Sequence, residues 1–234
     1  MAGLHVIRGD AEGSRRRPGA ELASNPSLVT MSFSSVRLAG ADPSSDTLQE
    51  WTVALMALDD DEDEVEIGCL RLYRLCDYTG YSRILAADEV SGDLLHIAET
   101  VLDGEAYSDA FEKAVEMPVG DLLILDEVVL ARPWRGFRLG PVFAQEAIVR
   151  LQGGCCAVAC APGAGEPPAD GREPTREEWR AAGMKIAALW QTIGFQPFKD
   201  GVYLHDTACD HDELLLARRA DLDRLSAEYR SARC

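Results

Sequence analysis

The sequence predicts an α/β domain built on a mixed sheet, with antiparallel strands first, a strand–helix–strand unit after them, and a helical insertion before the central strand. Three observations predict it. Apolar and polar residues alternate through 27–38, 51–58 and 67–75, the mark of half-buried strands. Residues 122–130 are apolar on both faces except at Asp126 and Glu127, as in a strand covered on both sides. Residues 141–151 then carry an apolar stripe at helical spacing and pass through Gly153-Gly154 into a second apolar run, 155–161.

The elements follow in order. Residues 1–25, rich in Gly, Arg, Ala and Ser, read as a mobile tail. The three alternating segments form an antiparallel meander. Between the last two lies DDDEDEVE at 59–66, a solvated hairpin tip, because like charges repel and need water. From 81 to 117 the period turns helical. Ile84, Leu85, Val90, Leu94, Ile97, Val101 and Leu102 mark one helix, Ala110, Phe111, Ala114 and Val115 a second, and Gly104 separates them. The strand, helix and strand across 122–161 make a βαβ unit, so those two strands run parallel. Thr175 and Glu178 form a capping box for a helix that ends at Gly194. A hairpin turns near Asp200-Gly201, and an amphipathic helix covers 210–230. The domain is thus expected over 26–206, with 207–234 as a C-terminal helix.

Composition limits the class. The 234 residues suffice for one well-buried domain. The formal charge is −17, from 23 basic against 40 acidic residues, which speaks against nucleic acid and anionic membrane as partners and favours cationic ones. Seven cysteines, an odd number and mostly inside apolar runs, suggest reduced, packed thiols. Arg15, Arg16 and Arg17 precede no apolar run, so no secretory signal is expected, and no run is long enough to span a bilayer. The expected setting is the cytoplasm. Cys155, Cys156, Cys160, His205, Cys209 and His211 include no CxxC pair, so no metal is expected.

Chemistry concentrates at 121–140. A small-residue turn before a helix gathers backbone N–H groups at the positive end of the helix dipole, a place for phosphate. The turn is no Walker loop, since no Gly-Lys-Ser/Thr follows, and it lacks the third glycine of a dinucleotide fingerprint.

The turn reads Arg135-Gly136-Phe137-Arg138-Leu139-Gly140, and the later helix ends Leu189-Trp190-Gln191-Thr192-Ile193-Gly194-Phe195. At these two places the chain resembles the GNAT superfamily of acyl-CoA-dependent N-acyltransferases. That family's motifs are Arg or Gln, two residues, Gly, one residue, Gly or Ala, and a helix ending Leu-Tyr-x-x-x-Gly-Phe. The resemblance implies a GNAT-like fold whose two parallel strands splay apart, with acetyl-CoA as acyl donor. It assigns the pyrophosphate to Arg135, Gly136, Phe137, Arg138, Leu139 and Gly140. The pantetheine arm falls to Val128, Val129 and Leu130, with the Leu130 N–H facing the oxyanion. The acceptor is a primary amine, on a small molecule or a peptide, attacking the thioester directly.

A carboxylate near the end of the first parallel strand must take the amine's proton. Glu127 is the first candidate and Asp126 the second. Side chains alternate across a strand, so one of them is expected to face the cleft. Two positions depart from the family. Arg138 stands where glycine is usual. Trp190 stands where a tyrosine often returns the proton to the thiolate; Tyr203 or solvent would take that role, since indole does not titrate near neutrality. These departures keep a second reading open, a catalytically inactive GNAT-like domain that binds acyl-CoA or a protein. The insertion at 81–117 either covers the acceptor side of the cleft or forms a homodimer surface.

Overall fold

A computed structural model describes residues 22–40, 42–59, 62–163 and 175–233. After a 3-10 turn at Pro26–Leu28 come β1 (Thr30–Ser34), α1 (Pro43–Thr47), β2 (Leu48–Leu58) and β3 (Glu64–Leu75). The insertion holds α2 (Arg83–Asp88), α3 (Gly92–Val101), a small hairpin of β4 (Leu102–Asp103) and β5 (Ala106–Tyr107), and α4 (Asp109–Ala114). Then follow β6 (Asp121–Leu130), α5 (Leu139–Leu151), β7 (Cys155–Cys160), α6 (Arg176–Gln191), β8 (Gln196–Pro197), β9 (Tyr203–Asp206) and α7 (Asp212–Ala232).

The main sheet has the order β1-β2-β3-β6-β7-β9-β8. Its first four strands pair antiparallel, β6 and β7 pair parallel, and the remaining pairs are antiparallel. The mixed, mostly antiparallel sheet expected from the alternating segments is therefore present, and so is the parallel pair. One face buries Val53, Leu55, Leu70, Leu72, Leu123 and Leu125 against α5, α6 and α7. The other buries Leu75, Leu122, Ile124, Ala157 and Ala159 against α2, α3 and α4.

Local sequence explains most element ends. Ser82, Ser91 and Ser108 each precede a helix, and each hydroxyl accepts from the backbone N–H three residues on, at Leu85, Leu94 and Phe111. The Ser91 cap divides the helix predicted across 84–102 into α2 and α3. Gly104, expected to separate a pair of helices, turns the β4–β5 hairpin instead, with φ +63°. The Thr175–Glu178 capping box forms as expected. Asp200 and Gly201 both take left-handed backbone, the geometry of a two-residue hairpin turn.

The expected tail, 1–25, lies outside the described residues up to position 21. Its remainder is packed: Leu22 is buried in the core with Leu225, and the Asn25 side chain caps the 3-10 turn. The acidic tip also lies partly outside them, at 60 and 61. Arg219 of α7 grips Glu146 of α5 through two hydrogen bonds of 2.6 and 3.2 Å, which holds that carboxyl below its usual range. Among the described residues no helix is long and apolar enough to cross a membrane.

One contact fixes the strand that carries the expected site. Gly68 of β3 lies so close to β6 that a Cβ there would fall 2.3 Å from the Val129 carbonyl oxygen. Gly68→Ala is expected to force the strands apart and cost about 1–3 kcal/mol, read as a lower urea midpoint at unchanged slope. Wild-type stability would show that β6 can move freely.

Candidate active site

β6 and β7 pair from Asp121↔Cys155 to Ile124↔Ala159. Beyond Ile124, β6 continues to Leu130 with β3 as its partner. The direction of its main chain follows from two contacts. The Ala131 N–H donates to the Ile67 carbonyl on the β3 side, 2.7 Å away, and the Val129 carbonyl faces Gly68. Successive residues of a strand present their main-chain groups to opposite edges. The N–H and C=O of Val128 and Leu130 therefore face the edge opposite β3, beyond the end of the pairing with β7. The Leu130 C=O accepts from Arg135 Nε at 2.5 Å. Of the three residues expected to bind the arm, Val128 and Leu130 turn their main-chain groups to that edge, the Leu130 C=O already engaged by Arg135, while Val129 serves β3.

The loop after β6 turns through Arg132–Trp134 and is anchored by the buried side chains of Trp134 and Phe137. Gly136 has φ +84°, and Arg138 has φ +60° and ψ +28°. Arg138 thus takes the left-handed conformation that glycine adopts freely, which costs a residue with a Cβ about 1–2 kcal/mol. Its exposed side chain forms no ion pair among the described residues. Leu139 and Gly140 open α5, where first-turn N–H groups have no carbonyl of their own helix to reach. The Arg135 guanidinium instead turns back to β6, so its Nε secures the strand rather than pointing out of the loop.

The two carboxylates depart from simple alternation. The register steps from Arg71↔Glu127 to Leu72↔Leu125, so Asp126 is an extra residue in a β-bulge. Leu122 and Ile124 face α2–α4, whereas Leu123, Leu125, Val128 and Leu130 face the opposite core. Counting forward from Ile124 and backward from Val128 puts Asp126 and Glu127 on the same face, that of Arg71. Strict alternation would have separated them.

Both acids are 6% exposed, so their partners decide their charge. Glu127 Oε2 lies 3.4 Å from Arg71 Nη2, and Arg71 Nε lies 3.5 Å from Glu50 Oε1. Asp126 makes no hydrogen bond or ion pair among the described residues. Burial lifts its carboxyl to about 7; Arg71 opposes the rise, and Glu127, Asp93 and Glu50 add to it. Tyr73, beside this group on β3, is pushed up to about 12, first by burial and then by Glu50 and Asp126. A buried carboxylate that ionises near neutrality is suited to general-base work.

Tyr203 is not brought to these acids. It pairs with Cys160 and packs into the core of the opposite face. Trp190 is buried there too, edge-on to Phe195, with its indole Nε1 unpartnered among the described residues. His205 and His211 stack with ring centroids 4.0 Å apart, each bonded to a backbone carbonyl. Among the described residues no three His, Cys, Asp or Glu side chains converge on a metal position. Sequence reasoning missed Arg71, Tyr73 and Glu50. The signal was available: Arg71 and Tyr73 alternate with Leu70 and Leu72 in a buried strand.

Asp126 also has a stability signature. Its folded value lies above the ordinary 3.8, so folding is favoured while it stays protonated, and that contribution is lost as pH rises through about 7. Asp126→Asn is expected to stabilise the protein by about 1–4 kcal/mol near pH 8 and to change little near pH 3. Urea unfolding at the two pH values checks this; equal stability near pH 8 would contradict it.

No family model matches the chain, and neither a curated protein nor a solved structure matches it significantly.

Proposed function

We propose that this chain is an acyl-CoA-dependent N-acyltransferase of GNAT-like fold, transferring acetyl from acetyl-CoA to a primary amine. The observation that carries the reading is the open edge of β6 with Asp126 beside it: donors for an extended amide-bearing arm, next to a buried base that has no partner among the described residues. The element order supports it, with the meander, the βαβ unit and the closing hairpin in the sequence the resemblance implies.

Acetyl-CoA supplies an acyl group activated as a thioester. The Val128 main chain pairs with its amides, and the Leu130 N–H stabilises the charge that develops on the thioester carbonyl oxygen. The N–H groups of Leu139 and Gly140 receive the pyrophosphate, with the Arg138 guanidinium free to add a charged contact. Asp126 takes the proton of the incoming ammonium, directly or through water. A C–N bond then forms as the C–S bond breaks; the attached nitrogen sheds its second proton through solvent, and the departing thiolate takes up a proton from solvent and leaves as free thiol. Asp126 replaces Glu127 as the first choice of base, because Glu127 is tied to Arg71. The buried free thiols of Cys76, Cys155, Cys156 and Cys160 suit a reducing compartment such as the cytoplasm.

The second reading, an inactive acyl-CoA-binding or protein-interaction domain, is favoured by the left-handed Arg138 and the inward turn of Arg135. Calorimetric titration with acetyl-CoA, followed by thiol release over a panel of primary amines, separates the two. The wild type is expected to bind acetyl-CoA at micromolar concentration and to release thiol. Asp126→Asn should bind equally but turn over at least about 100-fold more slowly. Unchanged turnover would remove Asp126 as base, and no binding at millimolar ligand would remove the enzyme reading.

A further inference from the structure

Two acids lie side by side on one face of β6, and one guanidinium faces them. Arg71 reaches Glu127 at 3.4 Å and Glu50 at 3.5 Å, and it is the residue across from the bulge. Asp126, equally buried, has no such contact among the described residues. Neighbouring carboxylates in a poorly solvated place resist holding two negative charges. A counterion beside one of the two favours placing the proton on the other.

We propose that Arg71 is a positioning residue that sorts the proton between the two acids, keeping Glu127 ionised so that Asp126 is the group that gains and loses a proton. Glu127 then acts through its fixed charge, raising the proton affinity of Asp126 without touching the substrate. The groups facing Asp126 are Glu50 from β2, Arg71 and Tyr73 from β3, Asp93 from α3 and Glu127 from β6 itself. Arg71 is the cation among them, so its loss leaves the acids uncompensated. The catalytic meaning rests on the proposed function, whereas the protonation order does not.

The test is carboxyl-carbon NMR titration of the full chain labelled at aspartate, with Asp126 assigned by its loss in Asp126→Asn. The wild-type midpoint is expected at about 7. Arg71→Met should raise it by about one pH unit or more, and Glu127→Gln should lower it by about as much. Arg71→Lys, which keeps the charge, should stay near the wild type; a role through shape alone would move it with Arg71→Met. An unmoved midpoint in Arg71→Met overturns the proposal. If that variant does not fold, an unmoved midpoint in Glu127→Gln does so. Where thiol release occurs, its pH profile should shift in step with the NMR midpoints. Shifting midpoints in a protein that neither binds acetyl-CoA nor releases thiol would sink the proposed function and leave the proton sorting intact.

Discussion

A central strand that loses one neighbour halfway along its length must satisfy its main chain some other way. β6 is in that position. It is held by β3 throughout but by β7 from Asp121 to Ile124. Buried backbone groups are seldom left unpaired. Here the chain offers one local remedy, the Arg135 side chain on the Leu130 carbonyl. The neighbouring N–H of Leu130 faces the same edge. The bulge, the loop and the first turn of α5 all come after the point at which the pairing with β7 ends.

The bulge ties this geometry to charge. A single extra residue at Asp126 re-aims the strand and collects two acids where alternation would have split them. Much of that face of the sheet is apolar, closed under α2, α3 and α4. Toward the end of β6 it turns polar, with Glu50, Arg71, Asp126 and Glu127 following one another across three strands. A buried acid without a partner is a burden to folding, and such burdens concentrate where a protein acts on other molecules.

Much of the architecture was legible in the sequence. The alternating segments, the apolar runs 122–130 and 155–161, the Thr175–Glu178 box and the Asp200-Gly201 turn each carry a local physical signal, and each forms the element it implies. Of the candidate site, the strand, the loop and the two acids carry signals in the sequence itself. Three features do not. The bulge depends on the register with β3, which no window of β6 reveals. The left-handed backbone of Arg138 runs against the preference of a residue with a Cβ, so nothing in its identity announces it. The role of Arg71 appears when strands from distant regions of the chain are placed side by side. Ser91 is a different case, since its cap was a local signal outweighed by the helical period on either side.

Phe137 lies in the loop before α5, yet it lines a pocket together with residues from far along the chain: Leu22, and Leu225 and Tyr229 of α7. The Ser27 N–H and the Ser226 hydroxyl bridge the same region, 199 residues apart in sequence. A ribosome that has just completed β9 has therefore made every strand of the sheet, but not the helix that closes over this loop. The fold can collect its core during synthesis, while the loop waits for residues made afterwards, so the nascent chain should acquire its sheet before the surroundings of this loop are finished.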